Sequence, residues 1–200
     1  MNLPNKLTIL RFIMVPAFMV FLTIEPLYTA IGDTAARMTA LILFILAALT
    51  DLLDGKIARK YNLVTDFGKF MDPLADKLMV FGALLGLLYY SFVSGADALF
   101  CKIFVWAAFI VMLRELAVTS MRLVVSGKSG QVIAAQWSGK VKTVTQMVCI
   151  MVCIAEPVWA GVYGGVPYLS YCLTAAMIFM TVYSGVEYFI KYMPLMDSNK

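Results

Sequence analysis

The stretch D-L-L-D-G-K-I-A-R-K-Y-N-L-V-T-D-F-G-K-F-M-D-P-L-A-D, residues 51–76, decides how this chain is read. It sets Asp51, Asp54, Asp66, Asp72 and Asp76 between two strongly apolar runs, residues 38–50 and 78–90. Carboxylates at the mouth of a bilayer are costly unless a cation meets them, so such a cluster points to function by default.

The composition supports that setting. Of 200 residues, 62% are hydrophobic and 14% are charged, whereas a soluble domain carries about 45–50% apolar and about 25% charged residues. The apolar residues fall in long blocks, which predicts an all-α integral membrane protein with one domain over residues 1–200. A helix needs about 20 mainly apolar residues to cross the hydrocarbon core. Six segments meet that need: residues 7–29, 35–60, 68–92, 99–126, 139–158 and 166–192. No small-x-small cleavage site follows the first block, which is expected to stay as a transmembrane helix. The stretch 127–138 reads as the longest loop, with room for a short interfacial helix.

Orientation follows from the basic residues. Lys6, Arg11, Lys56, Arg59, Lys60, Lys69, Lys77, Arg114, Arg122, Lys128, Lys140, Lys142, Lys191 and Lys200 fall toward one face, and only Arg37 and Lys102 toward the other. Six helices with both termini and the aspartates on the cytoplasmic side are therefore expected. The uncharged run 38–50 has 13 residues, about 20 Å of helix at 1.5 Å per residue. That is too short to cross, so the helix should continue past Asp51 and Asp54 to Ala58, with both carboxylates inside the leaflet.

On a helix, Asp51, Asp54, Gly55 and Ala58 share one face, and so do Gly68, Asp72 and Asp76 on the next. Four carboxylates can then converge across the seam, with Asp66 off the pattern. They cannot all stay ionised without counter-charge, for which Arg59, Lys69, Lys77 or bound metal are the candidates. The chain has no histidine, so His-ligated metal and His catalysis are excluded. An all-carboxylate site suits Mg²⁺ or Mn²⁺, and two such ions can clamp a displacement at phosphorus. Small residues at 55, 58 and 68 would let a ligand approach the backbone. Two blander readings stand beside this one. Asp51 and Asp54 could pair with interfacial basic residues, and Asp72 before Pro73 could be a helix N-cap, which would leave Gly68 outside the helix.

The pattern Asp51-x-x-Asp54-Gly55-x-x-Ala58-Arg59, then Gly68-x-x-x-Asp72-x-x-x-Asp76, resembles the full signature of the CDP-alcohol phosphotransferases. Leu3-Pro4-Asn5-Lys6-Leu7-Thr8-Ile9-Leu10-Arg11 is similar to the opening of bacterial members, as are Arg114-Glu115, Arg122 and Ser138-Gly139-Lys140-Val141-Lys142-Thr143. The resemblance implies transfer of a phosphatidyl group from CDP-diacylglycerol to an alcohol, with release of CMP. It implies that Asp51, Asp54, Asp72 and Asp76 hold two divalent cations, Mg²⁺ or Mn²⁺, and that Asp76 is also the general base. Asn5, Thr8, Asp54, Gly55, Ala58, Arg59 and Gly68 would line the CDP side. It also implies a homodimer in the plasma membrane, among membrane lipids, with no nucleic-acid partner.

The acceptor is read from a second basic group, Arg114, Arg122, Lys140 and Lys142. A guanidinium within the membrane, as Arg114 is expected to be, calls for a planar anion, and Glu115 points about 100° away from it on a helix. For Lys128 and Lys142 a lipid-facing basic fringe is an equal reading. If this group binds the acceptor, the acceptor carries phosphate. Glycerol 3-phosphate fits and is what the resemblance implies; inositol phosphate is also anionic, while serine or phosphatidylglycerol would need another pocket. A cation or proton transporter using the aspartates as a relay is the competing class, but the outer halves of the two helices carry no acid to continue a path. Cys101, Cys149, Cys153 and Cys172 form no CxxC pair and are expected to be buried structural thiols.

Overall fold

A computed structural model describes residues 2–61, 65–129, 136–159 and 166–196. Among these the chain is all helical: α1 (Leu3–Thr23), α2 (Glu25–Ile31), α3 (Asp33–Lys60), α4 (Asp66–Val93), α5 (Ala98–Ser129), α6 (Trp137–Ala155), a 3-10 turn (Glu156–Val158) and α7 (Tyr168–Met196). Among the described residues five spans are long and apolar enough to cross a membrane: Leu3–Thr23, Asp33–Ile57, Phe70–Val93, Trp137–Val158 and Tyr168–Met193. The chain is a multi-pass membrane protein. The remaining expected segment, 99–126, lies in α5, which is 32 residues long and bears Lys102, Arg114, Glu115 and Arg122.

The first expected segment, 7–29, is not one helix. Pro26 has no N–H for the carbonyl of Leu22, and its ring would strike that carbonyl. The helix therefore stops at Thr23, passes through an extended Ile24, and restarts as α2 with Pro26 in the first turn. At the other end of the expected loop 127–138, α5 runs on to Ser129 and α6 begins at Trp137, so the loop is shorter than the composition suggested. Residues 130–135 lie outside the described residues, as does any interfacial helix there.

The chain divides into two compact units: Met1–Cys101 with Ile150–Pro167, and Lys102–Cys149 with Tyr168–Lys200. In the first, α1 packs along both α3 and α4, which touch each other only sparsely. The seam between α3 and α4 expected from the sequence is thus filled by α1. Small residues make room for it. A Cβ on Gly82 would meet Met19 Sδ and Val15 Cγ1 at 3.0 Å, and one on Gly86 would meet Leu22 Cδ1 at 3.3 Å. On α3, Ala36, Ala40 and Ala47 are fully buried, and Phe44 meets Phe18 edge to face at 5.6 Å. With no hydrophobic drive between helices in lipid, such close approach is what holds them.

In the second unit, Val118, Met121 and Val125 of α5 form a core with Tyr188 and Tyr192 of α7. Cys149 Sγ lies 3.7 Å from Thr174 Oγ1. Cys101, Cys149 and Cys153 are buried as expected, but Cys172 is exposed.

Candidate active site

The N-terminus of α4 answers the question that Pro73 raised. Thr65 is the N-cap, and its hydroxyl accepts from Gly68 N–H at 3.0 Å. Gly68 and Asp72 are therefore helical, Asp72 is not a cap, and Pro73 sits inside the helix. Gly68, Asp72 and Asp76 do recur on one face. On α3, which runs to Lys60 as segment length required, Asp51, Asp54, Gly55 and Ala58 recur on another. Asp51 and Asp72 both lie within electrostatic reach of Asp54. The two acidic stripes converge within the first unit.

What meets their charge is Arg11, which the sequence argument did not select. Its side chain is 0% exposed, with Nη1 2.6 Å from Asp51 Oδ1 and Nη2 bonded to Asp54 Oδ2. Asp54 is buried with it, while the side chain of Asp51 keeps 37% of its surface. The candidates Arg59 and Lys69 have side chains outside the described residues, and Lys77 turns to the carbonyl of Pro73 at 3.4 Å. The bland pairing of Asp51 and Asp54 with a cation is thus correct in kind, but the cation comes from α1 and is deeply buried. A signal existed: Asn5, Thr8 and Arg11 recur at i, i+3 and i+6 in a largely apolar helix, so they share a face. All three are buried.

The other two members of that stripe also serve α4. Thr8 Oγ1 donates to Asp72 Oδ1 at 2.8 Å, and Asn5 Oδ1 accepts from Thr65 Oγ1 at 3.0 Å. A Cβ on Gly68 would stand 3.2 Å from Asn5 Oδ1 and 3.3 Å from Thr65 Oγ1. The room left by Gly68 is therefore taken by the chain's own polar groups, where the sequence suggested a ligand. Gly55 and Asp76 are half-buried, and the side chains of Ala58 and Arg59 lie outside the described residues.

All these donors are hard oxygens, the chemistry a divalent cation such as Mg²⁺ or Mn²⁺ requires. Among the described residues, however, no three acidic, Cys or His groups are gathered as one ion would need. The donor set fits a metal, and its arrangement is that of an ion-paired cluster.

The second basic group lies in the other unit. Lys142 is 5% exposed and pairs with the Glu115 carboxylate, so it is no lipid-facing fringe. Glu115 meets Arg114 only at 3.4 Å, as its position on the helix suggested. Arg114 Nε is buried and makes no hydrogen bond among the described residues, and Arg114 Cγ lies 3.2 Å from the position of a Cβ on Gly185. Arg122 Nε donates to Tyr188 Oη at 2.9 Å, and Lys140 is exposed. The side chain of Lys128 lies outside the described residues. Tyr188 and Glu115 are partners that the sequence did not assign.

Comparison with known proteins gives this architecture a place. Residues 1–184 match the CDP-alcohol phosphatidyltransferase family. A CDP-diacylglycerol--glycerol-3-phosphate 3-phosphatidyltransferase of Bacillus subtilis is 39% identical over 196 residues, 95% of this chain and 94% of that protein. A probable phosphatidylglycerophosphate synthase of Mycobacterium tuberculosis is 36% identical over 94% of this chain and 79% of its own length. A Rickettsia felis protein with the same name as the Bacillus one is 35% identical over 94% of this chain and 93% of its own length. The chain belongs to the CDP-alcohol phosphatidyltransferase family.

Proposed function

We propose that this protein transfers the phosphatidyl group of CDP-diacylglycerol to glycerol 3-phosphate, giving phosphatidylglycerophosphate and CMP. The observation that carries the chemistry is the set Asp51, Asp54, Asp72 and Asp76 on α3 and α4, within spans long enough to cross a membrane and with no histidine in the chain. The acceptor rests on the printed names of relatives that match nearly the whole chain.

In this reading the four aspartates hold two divalent cations, Mg²⁺ or Mn²⁺, which when bound neutralise the diphosphate and the leaving CMP. Asp76 takes the proton of the attacking hydroxyl. A bond forms from that oxygen to the phosphorus bearing diacylglycerol, and the bond from this phosphorus to the CMP oxygen breaks. With no imidazole in the chain, the base in this reading is a carboxylate of the cluster itself. Thr8 fixes the rotation of Asp72. Asn5, Gly55, Ala58 and Arg59 line the CDP side, and Gly68 joins them through the Asn5 side chain that packs on it. Arg114, Arg122, Lys140 and Lys142 receive the acceptor phosphate. In the same reading α5 is a sixth span, both termini and the active site face the cytoplasm, and the protein is a homodimer of the plasma membrane.

The test is CMP release by purified protein from CDP-diacylglycerol with a panel of acceptors. Glycerol 3-phosphate should support release and chelator should stop it. Asp76→Asn should abolish release while CDP-diacylglycerol still binds. Release with inositol phosphate or serine but not with glycerol 3-phosphate would overturn the acceptor. Near-normal turnover of Asp76→Asn would overturn the base.

A further inference from the structure

The fully buried Arg11 stands between two carboxylates that the proposed reaction needs as metal ligands. A guanidinium so placed requires an anion, and here it takes one oxygen from each of Asp51 and Asp54. Its engagement is incomplete. Nε and Nη1 make no hydrogen bond among the described residues, so Nη1 meets Asp51 as a charge and not through an aligned N–H. Arg–carboxylate pairs are frequently bidentate on a single carboxylate, whereas Arg11 gives one nitrogen to each of two. Among the described residues the acids do not form a cage for an ion, and two of them lie against Arg11.

We infer that Arg11 is an exchangeable counter-cation: it holds Asp51 and Asp54 in the metal-free protein and yields their oxygens when a divalent cation binds. This rests on the metal reading of the site proposed above. The physics gives it a direction. Removing one partner of a buried pair leaves the other charge uncompensated, which is strongly destabilising. Without Arg11, the metal-free cluster should therefore be unstable, and a divalent cation should supply what is missing. With Arg11, one guanidinium faces a cluster of four carboxyl groups, two of which it does not touch in the pairs described. The cluster still attracts a divalent cation, which must compete for two of its ligands. The alternative is that Arg11 orients the carboxylates for the metal from behind, in which case its loss weakens metal binding.

The experiment uses the full-length protein in detergent, purified with Mn²⁺ and then stripped with chelator, as wild type, Arg11→Met and Arg11→Lys. Two quantities are read: the Mn²⁺ dissociation constant, and Tm with chelator and with saturating Mn²⁺. Arg11→Met should melt well below wild type in chelator, regain most of the difference with Mn²⁺, and bind Mn²⁺ about tenfold more tightly, since no counter-cation has to be displaced. Arg11→Lys, which keeps the charge, should resemble wild type in chelator. Weakening of Mn²⁺ binding in Arg11→Met by about ten- to a hundredfold, the loss typical of an orienting partner, would overturn the exchange. So would failure of Arg11→Met to fold even with Mn²⁺ throughout. Wild-type protein that binds no Mn²⁺ would instead overturn the metal reading beneath it. Neither readout depends on transfer activity.

Discussion

Thr8 carries no charge and lies on a helix without acids, yet it donates to Asp72 across 64 positions of sequence. A hydrogen bond to a charged group is worth about 1.5–3 kcal/mol when one partner is removed. Thr8→Val keeps the shape and removes the donor. It should lower Tm in detergent and reduce CMP release, because Asp72 loses the contact that fixes its carboxylate. Thr8→Ser, which restores the hydroxyl, should recover both. Equal behaviour of the two variants would mean that the hydroxyl does not matter. The same logic explains why Asn5, Thr8 and Arg11 tolerate burial in an apolar helix: each has a partner on α3, on α4 or on the N-cap residue Thr65.

At the scale of elements, α1 is the wedge that keeps the two acidic helices apart and connected. Its seat on α4 is the pair Gly82 and Gly86, one turn apart, against Val15, Met19 and Leu22. Overpacking such a contact costs about 1–3 kcal/mol, and a long side chain at Gly82 has to push α1 away. Gly82→Leu should therefore lower Tm and, by shifting Thr8 and Arg11, reduce CMP release even though it touches no acid. Gly86→Ala should cost less than Gly82→Leu, since one added Cβ meets Leu22 Cδ1 at 3.3 Å and asks that side chain to give only a few tenths of an ångström. Loss of stability without loss of activity in Gly82→Leu would show that the acidic stripes do not depend on where α1 sits. The break between α1 and α2 belongs here too: Ile24 is extended and Pro26 enters the first turn of α2, where its missing N–H costs nothing.

For the whole molecule, the acidic and the basic groups fall in different units. The acids and Arg11 belong to one, and the basic group Arg114, Arg122, Lys140 and Lys142 to the other. If the second binds the acceptor phosphate, its loss should raise the apparent KM for glycerol 3-phosphate by about tenfold, the size of one charge-assisted hydrogen bond, and leave that for CDP-diacylglycerol little changed. Lys140→Ala is the cleaner variant, because Lys140 is exposed and its removal leaves no buried charge. Arg114→Ala removes a side chain packed on Gly185, so its effect mixes binding with packing. Equal changes in both KM values would point to a general role at the lipid surface.

The sequence alone determined the class of this protein and the address of its acids. Long apolar blocks require helices in a membrane, and the period of the helix places Asp51 with Asp54 and Asp72 with Asp76 without reference to any neighbour. Helix length carried α3 past its aspartates for the same local reason. Whether Gly68 and Asp72 were helical could not be read from Pro73, because a proline is compatible with both a helix start and a helix interior; the Thr65 cap decided it. The counter-charge was beyond local reasoning. Arg59, Lys69 and Lys77 are near the acids in sequence, but charge compensation depends on distance in space, and only the packing of α1 between α3 and α4 brings Arg11 to Asp51 and Asp54. Likewise only tertiary structure turned Lys142 inward, because Glu115, 27 residues earlier, offers it a half-buried carboxylate.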